Sequence, residues 1–304
     1  MDDGSTDDTL EIAKSFAMRD ARLRIHQNSH NLGIPRNWDR CRDLAVGEWV
    51  MFLFQDDLFR PDCAERMVRA AIQYSAKVVC CRRDFAFAPE VPEKHREDFL
   101  EGIEQNNFAA YFPNRSWVSP GDFCAQLAAT PMVNFVGEPT AVLLHRSTSE
   151  LFGKFHKTLI QYVDLEYWAR IAVQAGIAYV DEPLITFRIH GQSASSKNEN
   201  AALRIDRLDR IIMLHDFLYA PAYASLRKPL KNRGNLYRHY AQQVAWLKEG
   251  PSESDPSRPT WECALDHYPE LNNIDLVTSA VVSTHALARQ LRKLLLSESR
   301  KLVQ

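Results

Sequence analysis

The chain has 304 residues, 45% hydrophobic and 25% charged, with a formal net charge of -2. This is the balance of an ordinary globular protein, long enough for one large domain or two modest ones. It excludes a nucleic-acid binder that works through a global positive field. The acidic start (Asp2, Asp3, Asp7, Asp8) reads against a secretory signal, and no apolar run approaches the ~20 residues that cross a bilayer.

In chain order, 8–19 reads as a helix with Ile12, Ala13, Phe16 and Ala17 on one side, and Asp8 and Glu11 have capping-box spacing. Leu23 and Ile25 alternate with arginines as in a short strand. A polar loop over 28–33 leads to a second helix over 35–45, with Pro35 in its first turn. The apolar run 49–54 predicts a strand buried on both faces, as in a parallel sheet. It stops at Gln55-Asp56-Asp57. A helix over 61–75 and a strand over 78–81 follow, and 84–120 reads as irregular. Further on, 140–144 and 183–189 read as strands and 163–174 as a helix. From 197 onward the signals are helical, over 201–219, 236–248 and 276–302, with a Pro/Ser-rich linker at 250–259. The expected architecture is an α/β domain over 1–196 followed by a helical extension over 197–304.

Six cysteines (Cys41, Cys63, Cys80, Cys81, Cys124, Cys263) form no C-x-x-C pair and no zinc spacing. They read as reduced thiols, which points to the cytoplasm.

Four constellations carry chemistry-bearing groups. Asp2-Asp3-Gly4-Ser5-Thr6-Asp7-Asp8-Thr9 packs carboxylates and hydroxyls around a glycine ahead of a helix, and a turn with an N-cap is the commoner role of such residues. Gln55-Asp56-Asp57 ends a buried strand, where ligands of open α/β sheets bind. Adjacent carboxylates there suit a divalent cation whose other sites are filled by water and phosphate oxygens, or else form a solvated acidic turn. Asp164 stands at the start of a helix with Leu165, Trp168, Ala169 and Ala172 on its apolar face. It is either an N-cap or a general base. Arg188-Ile189-His190 puts Arg188 and His190 on one side of a strand end, fit for a diphosphate or a metal, or else forms a plain surface strand end.

Taken in order, Asp2 to Thr9, Asn31-Leu32-Gly33-Ile34-Pro35-Arg36-Asn37, Gly47-Glu48-Trp49-Val50, Gln55-Asp56-Asp57, Asp164 and Arg188-Ile189-His190 resemble the motifs of the family 2 glycosyltransferases. The resemblance covers 1–196 and leaves the helical extension outside. It implies a GT-A type, Rossmann-like mixed sheet flanked by helices. It also implies inverting, metal-dependent transfer of a sugar from a nucleoside-diphosphate donor to an acceptor hydroxyl of a saccharide or lipid-linked acceptor, in polysaccharide or glycolipid synthesis. The roles implied are nucleotide contacts for Asp3, Arg36 and Asp56, binding of Mn²⁺ or Mg²⁺ by Asp57 and His190, an acceptor contact for Glu138, and the general base for Asp164.

Two departures from the family stand out. The family's domain begins earlier, with a strand, a nucleoside-binding loop, a helix and a second strand, whereas Met1 stands where that second strand ends. The expectation is an incomplete donor domain, and a non-catalytic remnant that binds a partner is the alternative reading. The acidic motif has Gln55 in place of its first carboxylate, an acceptor without charge. A nucleotidyltransferase is a third reading, lacking its Gly-rich phosphate loop here. In 276–302, Arg289, Arg292, Lys293, Arg300 and Lys301 flank leucines, a pattern that fits peripheral contact with an anionic membrane or packing on the domain.

Overall fold

The computed structural model describes residues 1–191 and 205–249. They fall into two compact units, Met1–Phe123 with Val133–Gly191, and Cys124–Met132 with Gln192–Gln304. The second unit thus takes Cys124–Met132 from the stretch that the sequence assigns to the first domain. The expected linker at 250–259 and basic helix at 276–302 lie outside the described residues.

In the first unit, α1 (Thr9–Ala17) and α2 (Ile34–Leu44) precede β1 (Trp49–Met51), β2 (Leu58–Phe59), α3 (Cys63–Tyr74), β3 (Val78–Phe87), α4 (Glu93–Asn106), α5 (Phe108–Tyr111), β4 (Trp117–Val118) and the start of α6 (Pro120–Ala129). A 3-10 turn (Pro139–Ala141), β5 (Val142–His145), α7 (Thr148–Phe152), α8 (Val163–Ala175) and β6 (Ile177–Ile189) follow. The sheet runs β1-β5-β3-β6-β2, with β4 also on β6. Only β3 and β6 are parallel; the other pairs are antiparallel. The sheet is therefore mixed and flanked by helices.

Three segments differ from the sequence reading. Residues 23–25 form no strand, and the only pairing nearby among the described residues is the isolated Asp2–Gln27 bridge. The run 49–54 pairs only over Trp49–Met51, antiparallel to β5, and Leu53 is 55% exposed. Beyond Met51 the chain leaves the sheet to build the turn that carries the acidic motif, so the apolar run is not one doubly covered strand. The stretch 84–120 is not irregular. β3 continues to Phe87, and α4, α5 and β4 follow. Helix α4 buries no residue, so it carries little apolar periodicity to read.

One face of the sheet packs on α3, where Cys63, Met67, Ala70 and Ala71 meet Val79, Cys81, Leu143, Ala178 and Ile185. Strand alternation sends Val78, Cys80, Val142 and Leu144 to the other face, and all four are fully buried. Helix α8, buried from Val163 to Val173 apart from Asp164 and Arg170, lies against β3. It stops at Gly176, whose φ of +74° suits glycine, and a Cβ there would stand 2.6 Å from the Trp117 ring.

Helix α2 is fastened to the same core. Arg42, 5% exposed, donates to the Tyr167 hydroxyl and, at 2.9 Å, to Thr148 Oγ1, with its guanidinium 4.9 Å from the Tyr167 ring centre. Trp38 stacks on Phe54 at 5.7 Å. Arg42→Met is expected to lower stability by about 1–3 kcal/mol, because two buried hydroxyls lose their donor. Urea unfolding checks this through a lower midpoint at unchanged slope.

The second unit, as described, is helical, with α9 (Ile205–Tyr219), α10 (Ala224–Arg227) and α11 (Leu230–Glu249). Ile211, Leu214 and Phe217 of α9 are buried, as are Leu226, Leu236 and Tyr240. The buried Asn232 amide donates to the carbonyls of Leu226 (3.1 Å) and Cys124 (3.3 Å). Among the described residues no helix is long and apolar enough to cross a membrane.

Candidate active site

The acidic motif lies in the turn between β1 and β2. β2 pairs with Ile185 and Thr186 of β6, and this brings Asp56 and Asp57 to the end of β6 where Arg188 and His190 stand. Asp57 is 5% exposed. Its Oδ1 accepts from the Arg188 backbone N–H at 3.2 Å and its Oδ2 from the Thr140 hydroxyl. Thr140, fully buried, sits in the 3-10 turn ahead of β5. Desolvation pushes the Asp57 carboxyl above its usual range, with the Thr140 and Arg188 hydrogen bonds pulling the other way. Asp56 is half-buried, and its Oδ2 lies 2.9 Å from His190 Nε2. Two motifs more than 130 positions apart in sequence thus meet at one point.

The turn before Thr140 carries Glu138. Its carboxylate pairs with Arg83 of β3, whose side chain is 5% exposed against 26% for Glu138. β3 and β6 slip register around Arg82 and Arg83, a bulge at the point where Arg82 stays exposed and Arg83 turns inward. Gly137 makes the close approach possible. Its φ is +114°, and a Cβ there would come 2.8 Å from Arg83 Nη1.

The same turn reaches α8. Asn134 Oδ1 accepts from the Gly137 N–H at 3.0 Å, and Asn134 Nδ2 donates to Asp164 Oδ2 at 2.9 Å. Trp168 Nε1 donates to the Gly137 carbonyl at 3.0 Å. Asp164 Oδ1 accepts from the Leu165 N–H at 2.7 Å. Desolvation raises the Asp164 carboxyl to about 7; the Leu165 N–H opposes this, and the charge of Glu138 adds to it. A carboxyl poised near neutrality suits proton transfer better than an ordinary surface aspartate.

Asp3 and Arg36 belong to another group. Asp3 Oδ1 accepts from the Leu32 N–H and from Asn28 Nδ2, both at 2.8 Å. Asn28 Nδ2 also donates to Asn37 Oδ1 at 3.0 Å. Asp2 makes an isolated parallel bridge to Gln27 and accepts from the Gly4 and Ser5 N–H groups, so the first acidic segment is a bridge followed by an Asx turn. Asn28 Oδ1 is buried without a partner in the structure. Arg36 is exposed on the first turn of α2. No described hydrogen bond joins this group to Asp57 or Asp164; the link is the Trp38–Phe54 stack, two residues short of Asp56.

Residues 1–130 match the family described as Glycosyl transferase family 2. The chain is 26% identical over 212 residues to the uncharacterized protein MT1568 of Mycobacterium tuberculosis (strain CDC 1551 / Oshkosh), covering 69% of this chain and 62% of that protein. It is 33% identical over 88 residues to the uncharacterized glycosyltransferase YibD of Escherichia coli (strain K12), covering 29% of this chain and 25% of YibD. It therefore spans less than two thirds of the length of these curated relatives. In fold it is similar to the crystal structure of S. aureus TarS 1-349 in complex with UDP-GlcNAc, with a TM-score of 0.54 at 14% identity over 93% of this chain and 81% of that one. The architecture is that of the GT-A glycosyltransferases.

The matched segment supplies Asp3, Arg36, Asp56, Asp57 and Arg83. Asn134, Glu138, Thr140, Asp164, Arg188 and His190 follow it in the chain. The sequence singled out Glu138 and Asp164 but not Arg83, Asn134 or Trp168. Arg83 had one local signal, a charge in a run of strand-forming residues, yet only the register of β3 with β6 shows that it turns inward. Asn134 and Trp168 act through a turn whose geometry depends on a single glycine.

Proposed function

We propose that the first unit transfers a sugar from a nucleoside-diphosphate donor to an acceptor hydroxyl, with inversion at the anomeric carbon. The observation that carries this reading is the convergence of Asp56, Asp57, Arg188 and His190 at one edge of the sheet, with Asp164 linked to the same turn through Asn134 and Gly137.

A divalent cation fits this edge in the open manner of Mg²⁺ or Mn²⁺, which takes one or two carboxylates and leaves its remaining positions to water and phosphate oxygens. Among the described residues no three metal-ligating side chains converge into a closed cage. Asp57 uses one acceptor site on each oxygen internally and keeps others free, since an ionised carboxylate offers about four. Asp57 and His190 would hold the ion, with Asp56 beside them toward the nucleotide. Bound there with the donor, the ion supplies neutralisation of the charge that develops on the leaving diphosphate.

This chain's own groups do the rest. Arg188 holds Asp57 through its backbone N–H, which fixes the carboxylate relative to β6. Asp3 ties the Asn31-to-Asn37 loop to the N-terminal turn and, with Arg36, forms the nucleoside end. Asp164 accepts the proton of the attacking hydroxyl at its carboxylate, and Glu138 faces the acceptor. Attack from the side opposite the diphosphate inverts the sugar. The thiols at Cys41, Cys63, Cys80 and Cys81 support a reducing, cytoplasmic setting. The family resemblance supports a saccharide or lipid-linked acceptor in polysaccharide or glycolipid synthesis.

Calorimetric titration of UDP and GDP into the 304-residue chain, with and without Mn²⁺, tests the reading. Metal-dependent binding of one of them is expected, lost in Asp57→Ala. Binding that is indifferent to both Mn²⁺ and Asp57 would sink the assignment of the acidic motif.

A further inference from the structure

The second unit carries a charge segregation that glycosyl transfer does not use. The span 217–248 contains no Asp or Glu, yet holds Arg227, Lys228, Lys231, Arg233, Arg238 and Lys248, in a chain whose net charge is -2. The cations are not spread evenly around α11. Asn232, Leu236 and Tyr240, at helical spacing, form its buried stripe. At about 100° per residue, Lys231 and Arg238 lie on the opposite face with Leu230 on its flank, and Arg233 lies beyond Leu230 at the edge of the buried stripe. Lys228 sits just ahead of the helix. These four cations are exposed, and Leu230 is 85% exposed. The Arg233 guanidinium lies 5.8 Å from the Tyr237 ring centre, so a half-buried aromatic borders the same face.

From this arrangement we infer that the first turns of α11, with Lys228 ahead of them, form a docking face for an anionic phospholipid bilayer. Four or more Lys and Arg side chains on one surface are the range in which attraction to acidic lipid becomes appreciable. The charge alone would suit any polyanion. Leu230 selects among them: a soluble polyanion leaves it in water, whereas a bilayer interface takes up an apolar side chain at the centre of a cationic ring. None of its residues belongs to the groups around Asp57 and Asp164, so the inference stands whether or not the proposed transfer is correct.

The test is co-sedimentation of the full chain with vesicles of phosphatidylcholine, with and without phosphatidylglycerol, at low and high salt. Retention on the anionic vesicles at low salt is expected, falling as salt screens the charge. Lys228→Glu with Lys231→Glu is expected to lower partitioning by more than about tenfold. Leu230→Ser should lower it on the same vesicles while leaving its salt dependence unchanged, and Arg233→Gln with Arg238→Gln serves as a second charge variant. Circular dichroism confirms that each variant is folded. Three results overturn the inference. One is no retention on anionic vesicles. Another is equal retention on neutral ones. The third is retention that survives both charge variants, which would assign the contact to another part of the chain.

Discussion

Asp164→Asn is expected to lower sugar transfer by about 10²–10⁴-fold, the usual contribution of a positioned base, while the protein keeps its fold. The amide is nearly isosteric, and its oxygen can still accept from Asn134 or from the Leu165 N–H. What it loses is the ability to take a proton. The wild-type rate should climb with pH through about 7, where the carboxyl becomes the reactive carboxylate, and the residual rate of the variant should show no such limb. Nucleoside diphosphate release from the donor identified by titration, followed across pH, measures both. Stability should move in the opposite sense. The carboxyl titrates near its ordinary value when unfolded and near 7 when folded, so the native state binds the extra proton between those limits. Stability therefore falls as pH rises through that window, and the deficit is complete above about 7. Asp164→Asn has no such titration. Above neutrality it should unfold at a urea concentration equal to or higher than wild type, and its advantage should vanish in acid. A variant inactive because it is misfolded would lose stability at every pH.

Periodicity decides which parts of the site were legible in sequence. The acidic turn, the Arg188–His190 strand end and the Asp164 helix start each place charge at the end of a regular element, and such breaks in periodicity can be read along one strand of text. Their order carries the resemblance to the family 2 glycosyltransferases and, through it, the mixed sheet. That Asp57 turns inward to Thr140 and Arg188 could not be read, because the bonds depend on β2 pairing with β6 and on the 3-10 turn ahead of β5. The missed helix α4 has a related cause: with no buried face, it lacks the apolar spacing that reveals α3 or α8. Over-reading the run 49–54 as one strand has the converse cause. Trp38 and Phe155 bury Phe52, and Trp38 stacks on Phe54, so aromatic packing keeps the run apolar where the strand has already ended.

Arg83→Met is expected to destabilise the first unit by about 3 kcal/mol, the lower end of what a broken buried ion pair costs, because Glu138 retains some access to water. The loss comes chiefly from the Glu138 carboxylate, left without its partner. Its effect on the site is as large. The charge of Glu138 already raises both Asp57 and Asp164. Without the guanidinium beside it, that repulsion acts uncompensated, and the pH limb attributed to Asp164 should move upward. A packing role alone predicts a different result, since a methionine that merely filled space badly would lower stability without moving the limb. The double variant Arg83→Met with Glu138→Gln separates the two. Removing both charges should restore most of the lost stability, because neither group is then buried and unpaired, and should bring the limb back below its position in Arg83→Met. Glu138→Gln alone leaves the fully enclosed Arg83 without a counter-charge and should be the less stable single variant. If the double variant is no more stable than Arg83→Met, the pair does not act as a unit. Arg83 would then hold the turn through its packing against Gly137 instead of through charge.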